Sequence, residues 1–238
     1  MSYKTLVILV ISLLIGINLN CANKPEEKEI KLDTKDKKAS YAAGYDFAKR
    51  MSQLYKNVDA DSLIKGITDG LKGGKELMTE QERRESLMQL GQEMRQQAEE
   101  ERNAQLKANK EEGIKFLQEN AKKEGVKTTK SGLQYKVIKE GTGPSPKETD
   151  TVKVHYKGRL INGTEFDSSY SRGEPAVFPL NRVIKGWTEG LQLMKVGGKY
   201  ELYIPPELAY GDQGAGNAIE PGSVLIFEVE LLDIVKEK

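Results

Sequence analysis

A chain of 238 residues is long enough for one large or two modest domains, each able to bury a core. Charged residues make up 31% of it, yet the formal net charge is +1, so charge gives no ground for a nucleic-acid partner or a polybasic membrane surface. One cysteine, Cys21, and one histidine, His155, exclude an internal disulfide framework, thiolate-rich or multi-histidine metal sites and most histidine-based acid–base schemes.

The first segment, MSYKTLVILVISLLIGINLNC, places Lys4 ahead of an apolar run from Leu6 to Ile17 and then Cys21. That run is short of the ~20 apolar residues a membrane span needs and matches the hydrophobic region of a signal peptide, residues 1–20. With the cysteine directly after it, the segment resembles a bacterial lipoprotein signal, which implies lipidation of Cys21 and membrane contact through it. A plain signal peptide with an incidental cysteine is the competing reading. Ala22 lacks the aspartate that retains such lipoproteins at the inner membrane, so the outer membrane is expected, facing periplasm or surface. Residues 21–38 are charged and poor in apolar side chains, as a tether should be.

Helical spacing governs residues 39–125. Tyr41, Tyr45, Ala48, Met51 and Tyr55 recur at three and four, followed by Leu63, Ile64, Ile67 and Leu71, until Gly73 and Gly74 break the pattern. Thr79 and Glu82 form a T-x-x-E capping box that opens a long connecting helix over residues 79–125, about 65–70 Å if continuous. Its first part carries Leu87, Leu90, Met94 and Ala98 on one stripe, whereas its middle, EEERNAQLKANKEE, is polar on nearly every face. Such a stretch is expected to be a strut crossing solvent between packed ends. The apolar faces over residues 39–78 are too few for a robust core. Dimerisation through Tyr45, Met51, Leu87, Met88, Leu90 and Met94 supplies the missing burial; a monomeric three-helix bundle is the alternative.

From residue 126 the pattern turns to strands. LQYKVIKEG ends at Gly141, and TVKVHYKGRL alternates Val152, Val154 and Tyr156 against Lys153, His155 and Lys157, which predicts a solvated, non-catalytic His155. Asn162–Gly163 signals a hairpin turn. PLNRVIKGWTEGLQLM reads as a short helix carrying Trp187, and KYELYIP and SVLIFEVELLDI as two further strands. The fold class expected is α+β: an all-helical dimerisation module, a connecting helix, then an antiparallel half-open sheet wrapped on a short helix. The sequence GDQGAG has no lysine and no helix behind it, so it carries no nucleotide reading. TEFDSSYSRGEP, with Phe166 beside Asp167 and Arg172 five residues on, fits either a surface loop with a salt bridge or the wall of an apolar pocket with one placed carboxylate.

The stretches VHYKGRLINGTEFDSSYSRGEP, VIKGWTEGLQLMKVGGK, IPPELAYG and VLIFEVELL resemble, in order and spacing, the FKBP-type peptidyl-prolyl isomerases, a family that binds tacrolimus and rapamycin. The tether, the helical front and SGLQYKVI further resemble the bacterial macrophage-infectivity-potentiator subfamily. The resemblance implies an isomerase domain over residues 126–238, proline-containing polypeptide clients, macrolide inhibitors, a homodimer and no cofactor or metal. It also implies a pocket lined by Tyr156, Phe166, Phe178, Val183, Ile184, Trp187, Tyr210, Ile219 and Phe227, with Trp187 as floor, Asp167 as its acidic group and Arg172 beside that acid. Asp167, Tyr210, Tyr156 and Phe227 carry the catalytic role in this reading. Ala176, Ala215 and Ala218 stand where many members have larger side chains, which thins the rim.

Elementary chemistry agrees with that implication. A prolyl amide crosses ~18–20 kcal/mol to rotate, and rotation breaks its resonance, leaving the twisted state less polar than the planar one. An apolar pocket therefore favours the transition state without a nucleophile or metal. Tyr210 Oη and the Ile184 backbone N–H are expected to orient substrate carbonyls. The expected activity is isomerisation during folding of envelope or secreted proteins. A holdase-type chaperone or surface interaction protein, with isomerisation incidental, is the alternative.

Overall fold

Side chains that cap free backbone groups set the helix starts. Thr34 accepts a hydrogen bond from the Lys37 N–H and opens α1 (Lys35–Leu54), and Asp59 accepts one from the Ser62 N–H and opens α2 (Ala60–Lys72). Thr79 and Glu82 cap α3 (Glu80–Asn120) reciprocally, at 3.2 Å from the Glu82 N–H to Thr79 Oγ1 and 2.6 Å from the Thr79 N–H to Glu82 Oε2, so the capping box read from sequence is present. The computed structural model describes residues 30–235. The leader and Cys21, with every expectation placed on them, lie outside that range. The described chain falls into two compact units, one ending at Lys75 and one beginning at Glu76.

The first unit holds α1 and α2, neither of which has a buried residue. Tyr41 and Tyr45 stack on each other with ring centres 6.3 Å apart, and Ile64 and Leu71 project from α2, all of them exposed. Since α1 starts at Lys35, the last residues assigned to a tether are helical; the N-cap at Thr34, a local signal inside a charged run, sets that start.

The second unit begins with α3, whose 41 residues make it about 60 Å long at ~1.5 Å per residue. It stops at Asn120, short of the expected residue 125, and the buried Asn120 ties this end to the sheet: its Nδ2 donates to Gln134 Oε1 at 2.9 Å, while Gln134 Nε2 donates to the Leu117 carbonyl at 2.8 Å. Seven antiparallel strands follow: β1 (Val126–Thr128), β2 (Gln134–Lys139), β3 (Thr151–Leu160), β4 (Glu165–Ser168), β5 (Ala176–Pro179), β6 (Lys199–Ile204) and β7 (Leu225–Val235). Their order is β1-β2-β6-β7-β3-β4, with β5 also on β3. The short helices α4 (Ser169–Arg172) and α5 (Lys185–Gln192) lie between strands. Only Lys185–Gln192 of the longer stretch read as a helix is α-helical; Ala176–Pro179 pairs with Thr151–Val154 as β5, and Leu180–Arg182 forms a single 3-10 turn. Gly163, at φ +88°, turns β3 into β4 as the Asn-Gly signal predicts.

One face of the sheet wraps α5. Val152, Val154 and Tyr156 of β3, Leu202 and Ile204 of β6 and Val229 and Leu231 of β7 are buried there with Trp187 and Leu191 of α5. Gly186 permits the close approach, since a Cβ there would sit 2.4 Å from Ile204 Cγ2.

The polar middle of α3 is not a strut through solvent. Arg102, Gln105, Leu106, Asn109, Lys110 and Gly113 share one helix face, and that face packs on the loop between β6 and β7. Arg102 Nη2 donates to the Asp212 carbonyl at 3.2 Å, and Lys110 pairs with the Asp212 carboxylate at 2.7 Å. Gln105 and Asn109 both donate to Glu220 Oε2, at 2.9 and 3.2 Å, and Asn109 donates again to the Pro221 carbonyl at 2.9 Å. The expectation failed because it took a polar face to be a solvated one, whereas this contact is built from hydrogen bonds to a polar loop.

Candidate active site

Five rings form the base of a cavity of about 710 Å³ at the concave side of the sheet. Trp187, on α5, is its floor and is 4% exposed. Tyr156, Phe227 and Phe178 meet the indole nearly at right angles, with centroids 5.0, 5.2 and 5.8 Å away. Phe166 then packs edge-on against Phe227 at 5.4 Å. These offset geometries are the favourable ones for aromatic pairs. Gly158 makes room for them: a Cβ there would lie 2.7 Å from Phe227 Cε1 and 2.8 Å from Phe166 Cε2.

β4 delivers the acid. Asp167 sits opposite Gly158 in the β3–β4 ladder, where the register shifts between Gly158 and Arg159, and it lines the cavity. The Tyr156 hydroxyl donates to Asp167 Oδ2. Arg172, at the end of α4, donates to Asp167 Oδ1 at 2.5 Å and to the Tyr156 hydroxyl at 2.8 Å. Burial raises the carboxyl's proton affinity, but these hydrogen bonds and the guanidinium charge outweigh it and hold the Asp167 pKa below the usual carboxylate value. Burial and the same carboxylate push the Tyr156 hydroxyl above its ordinary value.

Ser169 fixes this group to the sheet. Fully buried, its Oγ accepts a hydrogen bond from the Tyr156 N–H at 2.8 Å and lies 2.9 Å from His155 Nδ1. Nothing in SSYS marked this serine out from its neighbours; only the return of the chain onto β3 does. His155 is therefore not the freely solvated residue expected from strand alternation. It is half-buried, with its ring stacked 4.6 Å from that of Tyr170, because α4 folds back over the outer face of β3.

The remaining wall comes from two loops. Val183 and Ile184 precede α5, where Ile184 is the N-cap, so its own N–H lies outside the helical ladder. The β6–β7 loop supplies Tyr210 at the rim, with Ala218 and the buried Ile219. Ala215 and Ile219 pair backbone to backbone, which holds the tip of that loop. Every pocket residue expected from the sequence thus lines the one cavity except Arg172, which reaches it through Asp167 and Tyr156. Arg182, which the sequence reading passed over, lines it too; the signal available was its position directly before Val183. Among the described residues no group of three His, Cys, Asp or Glu is placed to hold a metal ion, and no helix is long and apolar enough to cross a membrane.

An antiparallel sheet wrapped on one short helix, with an aromatic cavity and one braced carboxylate, defines a binding pocket for a small apolar group. The chain belongs to the FKBP-type peptidyl-prolyl cis-trans isomerases: residues 143–232 match that family, and residues 36–137 match the domain amino terminal to it. It is 50% identical over 200 residues to a probable FKBP-type peptidyl-prolyl cis-trans isomerase FkpA of Neisseria meningitidis, covering 82% of this chain and 73% of that one. To the peptidyl-prolyl cis-trans isomerase Mip of Coxiella burnetii it is 44% identical, over 87% of this chain and 90% of the relative. The crystal structure of FkpA from Escherichia coli superposes with a TM-score of 0.70 at 41% identity, covering 86% of this chain and 98% of the other.

Proposed function

We propose that this isomerase accelerates prolyl rotation by seating the proline ring on Trp187, between Tyr156, Phe166 and Phe227, with Asp167 placed beside the twisting amide. The observation that carries this reading is the Asp167 carboxylate, held by Tyr156 and Arg172 in the wall of an otherwise aromatic cavity. As the amide twists it loses resonance and polarity, so transfer from water to an aromatic wall costs the transition state less than the planar ground state. Tyr210 Oη and the Ile184 N–H orient the flanking carbonyls, and each 1.36 kcal/mol of differential stabilisation is worth about tenfold in rate. Clients are proline-containing polypeptides, and macrolides such as tacrolimus or rapamycin compete for the same cavity across a rim thinned at Ala176, Ala215 and Ala218.

The protein works as a homodimer in the cell envelope. Two α-helices without a buried residue support a second copy as their cover. A relative from Legionella longbeachae, 40% identical, bears the name outer membrane protein MIP, which supports an outer-membrane lipoprotein anchored through Cys21. A protease-coupled assay on a proline tetrapeptide tests the site. Tyr210→Phe should lower kcat/KM several-fold, as loss of one hydrogen bond worth about 0.5–1.5 kcal/mol implies, and Asp167→Leu should lower it further. Wild-type rates in both folded variants would place the chemistry elsewhere.

A further inference from the structure

The cavity is lined by two charged side chains, Asp167 and Arg182, and they are not equivalent. The charge of Asp167 is already answered by Arg172 at 2.5 Å and by the Tyr156 hydroxyl. The Arg182 side chain forms no hydrogen bond or ion pair with any described residue, and the residue is exposed. Its backbone is nonetheless fixed. It ends the 3-10 turn Leu180–Arg182, whose Leu180 is fully buried, donates its N–H to the Asp150 carbonyl at 2.9 Å and accepts from Thr188 Oγ1 at 2.7 Å. Directly after it come Val183 and Ile184, which also line the cavity. The mouth of an apolar proline site therefore carries one anchored, uncompensated guanidinium.

We infer that Arg182 is a specificity-determining residue that selects prolines flanked by an acidic side chain. A guanidinium offers paired donors in a geometry that fits a carboxylate. A client seated with its proline ring over Trp187 must pass its neighbouring residues over the mouth. An Asp or Glu there meets Arg182 without repulsion from Asp167, whose charge Arg172 balances. A Lys or Arg there meets like charge. The inference rests on reading the cavity as the substrate site.

The test uses the full chain and matched proline peptides carrying Glu, Gln or Lys directly before, or directly after, the proline, at low ionic strength. The readout is the ratio of kcat/KM for Glu over Gln at each position. Wild type should favour Glu by about 1.5- to 5-fold at one position, the range an exposed ion pair supplies, with Lys below Gln. Raising the salt to about 0.5 M should shrink the preference. Arg182→Gln should bring the ratio to about 1 and Arg182→Glu should invert it. Lys185→Gln, also on the surface but outside the cavity lining, should leave it at the wild-type value. A ratio unchanged across the Arg182 variants at both positions overturns the proposal, as does an equal change in Lys185→Gln, which would assign the effect to net charge. Failure of the wild type to isomerise even the Gln peptides would instead sink the reading of the cavity as an isomerase site.

Discussion

In the proposed mechanism Asp167 is the placed carboxylate of the cavity, and its ionisation would set a pH dependence. Its folded pKa lies below the ordinary value of about 3.9. Its contribution to stability is therefore complete above that unfolded value and is lost as pH falls through the lower folded one. Exposure to solvent keeps that contribution small. Tyr156, shifted the opposite way, stays protonated beyond its ordinary value of about 10. Isomerase activity should accordingly be flat from about pH 5 to 8, with an acid limb below about 3.9 that disappears in Asp167→Leu; a step inside the flat range, measured by exchange NMR on a proline peptide, would contradict this assignment. Two neighbours separate packing from chemistry. Phe227→Ala should cost activity and about 3–5 kcal/mol in denaturant unfolding, since it truncates a ring that three others, those of Tyr156, Phe166 and Trp187, pack against. His155→Ala removes a ring stack and the contact with Ser169, so it should cost about 1–2 kcal/mol of stability while leaving kcat/KM within about twofold. Loss of activity in folded His155→Ala would mean that the outer face of β3 takes part in the chemistry.

At the scale of elements, α3 is a brace for the β6–β7 loop that carries Tyr210 and Ile219. Its amides reach Glu220 and Pro221, and its cations reach Asp212, so both stems of the loop are held. Gln105→Ala with Asn109→Ala removes three of these hydrogen bonds without altering a cavity-lining side chain. Amide hydrogen exchange over residues 211–222 should quicken by about 2- to 12-fold for each 0.5–1.5 kcal/mol hydrogen bond lost, and KM for peptides should rise more than kcat falls. Unchanged exchange would show that the Ala215–Ile219 pairing suffices to hold the loop. The spacing of this face, 102, 105, 106, 109, 110 and 113, was present in the sequence as an ordinary helical stripe. A hydrophobicity pattern does not reveal its partner, because such a pattern scores apolar residues and this stripe is mostly amides and cations.

For the molecule as a whole, two expectations concern assembly and anchoring. The chain lacking residues 1–29 should sediment as a dimer, and residues 76–238, which keep α3 with the unit it packs on, as a monomer that still isomerises short peptides. Tyr41→Asp with Tyr45→Asp, on the exposed stacked pair of α1, should dissociate the longer form and spare the pocket. A monomer at tens of micromolar without those changes would count against the dimer. Cys21→Ser should release the protein from membranes, and intact mass of the membrane form should show a diacyl or triacyl addition; an unmodified mass removes the lipid anchor.

The sequence by itself determined the class of fold, the capping box at Thr79 and the hairpin at Gly163, and through its resemblance to the FKBP-type isomerases it named the residues that line the aromatic pocket. Each is written in local spacing or in contiguous motifs whose side chains need no distant partner to be recognised. Tertiary structure alone decided which surfaces are covered. It put α4 over His155, Ser169 under Tyr156, the polar face of α3 on the β6–β7 loop and Arg182 at the cavity mouth. Those contacts join residues through the return of the chain on itself. Polar side chains at such places look the same in sequence as solvated ones, because what distinguishes them is the partner that folding brings.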